Sequence, residues 1–149
     1  MPELLEPLRP PNLAAALSLL AGGDAGLSVL ELQALRTADP GALPNPDAHY
    51  WLGIAYVQAF VWSEAIAELR AYLSADTTTW RAGWASLHLG RAYQQAGRDD
   101  EAALAYRGCL AIPGVERAAR RFAFDLMSRI ADSLPMGYGQ APTRPAQGR

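Results

Sequence analysis

Asp47 to Leu73 reads DAHYWLGIAYVQAFVWSEAIAELRAYL, and Trp84 to Leu110 reads WASLHLGRAYQQAGRDDEAALAYRGCL. At an offset of 37, without a gap, the two share Ala48 with Ala85, Leu52 with Leu89, Gly53 with Gly90, Ala55 with Ala92 and Tyr56 with Tyr93. Glu64 then matches Glu101, Ala65 matches Ala102 and Leu73 matches Leu110. Self-similarity at a fixed period of this size marks a stack of like supersecondary units. Each segment reads as two helices with a tight turn between. Leu52, Tyr56 and Ala59 fall on one face of a 3.6-residue period, as do Ala65, Leu69 and Leu73. A glycine inside a helix costs about 1 kcal/mol against alanine. Gly53 and Gly90 in register therefore imply a close approach, here of the helix bearing Ala65 or Ala102. In Ala96-Gly97-Arg98-Asp99-Asp100 the glycine suits a left-handed helix end, and an aspartate suits the cap of the next helix.

Leu52-Gly53-x-x-Tyr56 followed by Ala65, and Leu89-Gly90-x-x-Tyr93 followed by Ala102 and Tyr106, resemble the tetratricopeptide repeat signature. The family's aromatic at the start of the second helix stands as Trp62 in one copy and is Asp99 in the other. Its first-helix tryptophan is replaced by His49 and Ser86. The closing proline is absent after the first copy, and Pro113 comes one residue early after the second. The resemblance covers about half the chain. It implies an all-α, right-handed α-solenoid of helix-turn-helix repeats with a C-terminal capping helix.

Extending the period organises the flanks. Counting back about 38 residues gives a degenerate repeat at 12–37, with Ala14-Ala15 where Leu-Gly is expected and Gly22-Gly23-Asp24 as its turn. The clear repeats occupy 46–75 and 79–111. Val115 to Ser133 reads as a capping helix with Ala119, Phe122, Ala123, Leu126, Met127 and Ile130 toward the last pair. Arg117, Arg120, Arg121 and Arg129 fall on its wet side. Residues 1–133 thus form one repeat domain, and 134–149, rich in Pro, Gly and Gln, are expected to be disordered.

Composition narrows the function classes. With 149 residues, half of them hydrophobic, the chain can bury a real core. A net charge of −2 gives no basic face for nucleic acid. All thirteen basic residues are arginine, which with abundant alanine reads as the codon bias of a GC-rich, bacterial genome. A single cysteine, an acidic and proline-bearing start, and no apolar run near ~20 residues make a cytoplasmic protein without membrane insertion the expectation. No catalytic constellation emerges, so no enzyme, metal site or cofactor is expected. His49 and His88 lack close ligand neighbours. Cys109 reads as a small packed hydrophobe.

What remains is surface. In the family the first helix of each pair lines a concave groove. The resemblance therefore implies Asp47, Tyr50, Trp51, Ile54, Val57 and Gln58 from one copy as groove residues. From the next it implies Trp84, Leu87, His88, Arg91, Gln94 and Gln95, and from the degenerate repeat Asn12, Ala16, Leu19 and Leu20. Trp84, Leu87 and Arg91 share a helix face at i, i+3 and i+7. With Tyr50 and Ile54 beside them they are expected to make one partly exposed patch. In the competing reading Trp80 and Trp84 pack between repeats. The expected role is an adaptor or scaffold that holds a protein or peptide partner. The alternatives are a small secretion or pilus-assembly chaperone and a self-associating homo-oligomer.

Overall fold

A computed structural model describes residues 9–133, and among them there are seven helices and no strand. These are α1 (Leu13–Ala21), α2 (Ala25–Ala38), α3 (Asp47–Gln58), α4 (Trp62–Ala75), α5 (Trp80–Gln95), α6 (Asp99–Ala111) and α7 (Arg117–Ser133). The described residues are all-α, and α2 runs longer than the expected 27–35. The segment 134–149, expected to be disordered, lies outside the described residues.

Three turns build the stack, and they are the same turn. Gly23, Phe60 and Gly97 each take a positive φ, of 90, 63 and 80°. After each, an amide reaches back across the turn: Asp24 N to Leu19 O at 2.8 Å, Val61 N to Tyr56 O at 2.9 Å, Arg98 N to Tyr93 O at 2.8 Å. The amides of residues 23, 60 and 97 bond the carbonyls of Leu20, Val57 and Gln94. This pair of bonds satisfies carbonyls that a helix end would otherwise leave open. Glycine enters the left-handed region freely, whereas Phe60 does so at a cost of about 1 kcal/mol or more.

The turns also fix the register of the first pair. Residues 23, 60 and 97 are 37 apart, so the first repeat is offset by 37 and not 38. Ala16, fully buried, then stands where Gly53 and Gly90 do, and Ala14-Ala15 carries no signature. Opposite it is Ser28, the equivalent of Ala65 and Ala102. Its buried hydroxyl is satisfied by donating to the Ala16 carbonyl at 2.8 Å.

The packing glycines meet large side chains. A Cβ at Gly53 would overlap Leu69, whose backbone nitrogen is itself only 3.4 Å away, and one at Gly90 would overlap the ring of Tyr106. Leu69 and Tyr106 are fully buried. The small residue is thus a socket for a large one on the partner helix. The expected close approach of the α6 helix to Gly90 is thus made first by Tyr106, one turn beyond Ala102. Gly83 plays the same part for Val115, in the α6–α7 connection. The α6 start also differs from expectation. Its cap position is Arg98, with no side-chain cap bond, and Asp99, Asp100 and Glu101 fill the first turn, where their charges meet the helix dipole.

Each helix packs on its neighbours in the chain, and α5 reaches α3 and α7 as well. As a result most of α3 is buried, with Ala48, Tyr50, Leu52, Ile54, Ala55, Tyr56 and Val57 all in the core. At the first pair, Arg9 bonds Glu31 of α2 at 2.7 Å, and Asn12 caps α1 by accepting from the Ala15 amide at 2.7 Å.

Candidate functional site

Burial divides the expected groove residues into two groups. Tyr50 is 3% exposed, Ile54 7%, Val57 3% and Leu87 2%. They line no surface, and the expected patch loses Tyr50, Ile54 and Leu87. The physical reason is that α3 and α5 have packed neighbours on more than one side, so an apolar stripe facing the next helix is filled by it. Ala16 and Leu20 of α1 are buried as well, on the side of α1 that packs on α2. Trp51, Trp84, His88 and Gln94 are half-buried, while Asn12, Gln58, Arg91 and Gln95 are exposed. Gln94 is engaged internally, accepting from the Tyr106 hydroxyl at 2.8 Å.

Two linked clusters carry what remains. In the first, the Arg81 guanidinium lies 5.1 Å from the Tyr50 ring centroid and 5.5 Å from those of Trp51 and Trp80, and it bonds Asp47 at 3.0 Å. A guanidinium over aromatic faces is held by their quadrupoles. Tyr50 packs in turn on Trp51 and on Tyr72 of α4. Burial pushes the Tyr50 phenol up to about 12, against the pull of Arg81. Trp80, half-exposed, is the open side of this cluster.

In the second cluster, the Trp84 indole N–H donates to the Glu116 carboxylate, just before α7, and the ring leans on His88 with centroids 6.2 Å apart. Trp84 is thus neither free nor fully enclosed. The two clusters share α5, which carries Trp80 and Arg81 in one and Trp84 and His88 in the other. His88 buries its Nδ1 without a hydrogen-bond partner. Burial, helped by Arg91, holds its imidazole down at about 4, so at neutral pH it is uncharged.

Asp76 organises the approach to α5. It accepts from the Thr78 and Thr79 amides at 3.1 Å each, and from the Tyr72 and Thr79 hydroxyls. Burial alone would raise its carboxyl, yet these bonds together bring it down to about 2. Sequence reasoning missed Asp76 and Arg81. The Asp-Thr-Thr-Thr run before a helix was a readable turn signal. Arg81, with no acidic residue one turn away, had to find its partner on another helix.

The other singled-out residues have structural settings. His49 Nδ1 is 2.8 Å from Glu68, which also pairs with Arg36 of α2 at 3.3 Å. Cys109 is fully buried against the Ala119 carbonyl, and burial pushes its thiol up to about 11. Among the described residues no three His, Cys, Asp or Glu gather as a metal site, and no helix is long and apolar enough to cross a membrane.

No protein-family model, curated protein or solved structure matches this chain.

Proposed function

We propose that this chain is a tetratricopeptide-type right-handed α-solenoid, bacterial and cytoplasmic, that acts as an adaptor or scaffold. It holds a protein or peptide partner on the surface shared by the N-terminal ends of α3 and α5 and has no chemistry of its own. The observation that carries this reading is a partly exposed aromatic group: Trp51 and Trp80 around Arg81 and, further along α5, Trp84 against His88. Tryptophan and arginine dominate binding hot spots, because they offer large rigid area together with a polar handle. Holding these side chains in place before a partner arrives lowers the entropy cost of binding. The partner suited to this surface is an apolar peptide or amphipathic helix with a hydrogen-bond acceptor near Arg91.

The test is capture from the native host with wild-type protein, Trp51→Ala, Trp84→Ala and, as control, Leu104→Ala, since Leu104 is exposed on α6. A hot-spot truncation costs about 2 kcal/mol or more, roughly thirtyfold in affinity. Loss of one common partner with both tryptophan variants, but not with Leu104→Ala, is the expected outcome. Equal capture by all four proteins would refute this surface.

A further inference from the structure

Between the end of α6 and the first half of α7 lies an open groove of about 520 Å³, lined by Leu110, Arg117, Arg120, Arg121, Phe124 and Asp125. Its charge runs against that of the chain. On a protein of net charge −2, three guanidiniums and one carboxylate meet here. Arg120 donates to the Leu110 carbonyl at 3.2 Å, which ties α7 to α6. Among the described residues Arg117 and Arg121 make no ion pair, and both are exposed. Phe124 is 58% exposed beside them, an apolar floor left open.

We propose that this groove is a second docking site, for an extended acidic peptide segment that anchors one apolar side chain on Phe124 and Leu110. Charge complementarity selects the occupant, and the spacing of the arginines sets its pattern. Arg117 and Arg121, at i and i+4, share a helix face and stand about 6 Å apart along the axis. Alternate residues of an extended strand put side chains on one side at about 6.8 Å. Carboxylates at i and i+2 of the guest thus meet the two guanidiniums, each of which can grip a carboxylate through paired N–H donors. Phe124, less than one further turn along, receives the side chain at i+4. Nucleic acid fits less well. Its phosphates would find an apolar floor, Phe124 and Leu110, beside only three cations.

The test uses the full chain and the fluorescein-labelled peptide Glu-Ser-Glu-Ser-Leu, followed by anisotropy. Saturable binding is expected below about 1 mM, weakened roughly tenfold or more when both glutamates are glutamine. The double variant Arg117→Gln/Arg121→Gln should lose affinity by the same order, and Phe124→Ser by about threefold or more. These side chains are exposed, so circular dichroism should not change. Trp84→Ala should leave peptide affinity unaltered, which separates this site from the α3–α5 surface. Equal binding of the neutral peptide, or indifference to the arginine substitutions, would overturn the proposal. So would a uridine oligonucleotide or anionic vesicles that bind through the same arginines while the peptide does not.

Discussion

Gly90 and Gly108 sit in adjacent helices of the same pair, and a methyl group has opposite meanings at the two. At Gly90 an added Cβ would overlap the Tyr106 ring, which is fully buried and cannot retreat. Gly90→Ala should therefore destabilise the protein by on the order of 1–3 kcal/mol. At Gly108 the nearest heavy atom to an added Cβ is Ser86 Oγ at 4.0 Å, so Gly108→Ala should stabilise by about 0.5–1 kcal/mol through helix propensity. Urea midpoints at unchanged m-value would read both. A stability loss at Gly108 as large as at Gly90 would refute the socket. This pair also shows what can be read at residue scale. An in-register helix glycine announces a close neighbour, but the neighbour's identity depends on how the second helix is rotated. Ala102 was therefore expected where Tyr106 stands. Arg81 was illegible for a related reason: three of its four partners, Asp47, Tyr50 and Trp51, lie on α3, and no local spacing encodes a contact between helices.

At the scale of elements, the seven helices were legible because apolar periodicity and turn chemistry act locally. The exposure of their faces was not. A stripe such as Tyr50 and Ile54 looks the same in sequence whether it meets solvent or another helix, and here it is buried. Helix α7 errs in the other direction. Phe122 belongs to its expected inward stripe yet is 54% exposed, because α7 has only α5 and α6 beneath it. What holds α7 down is a row of small side chains, Ala119 and Ala123, with Ile130, all buried. Ala119 also shields Cys109, with its carbonyl 3.8 Å from the thiol sulfur. Ala119→Arg should lift α7 without melting the preceding pairs. The Cys109 thiol should then react with a disulfide reagent about a hundredfold faster than in the wild type, where burial leaves it protonated. Unchanged reactivity would mean that α7 is not the cover.

For the whole molecule, two perturbed titrations shape stability against pH. The His88 imidazole is held at about 4 in the fold and is near 6.5 when unfolded. Between those values the unfolded chain binds the extra proton, so stability falls as pH drops from 6.5 toward 4, by up to about 3 kcal/mol in total. Asp76 is lowered instead, to about 2. Its contribution is intact above 3.8 and lost only below that pH. Denaturant midpoints from pH 7 to 4 should therefore slope less in His88→Asn than in the wild type, and parallel slopes would refute this assignment. The three like turns have a further consequence at this scale. Because residues 23, 60 and 97 share one backbone conformation and one hydrogen-bond pattern, the joints are interchangeable. Excising 24–60 would splice Gly23 directly to Val61 and set Ala16 of α1 opposite Ala65 and Leu69 of α4. The chain is in this sense measured out in cassettes of equal length, which recombination can add or remove without designing a new seam.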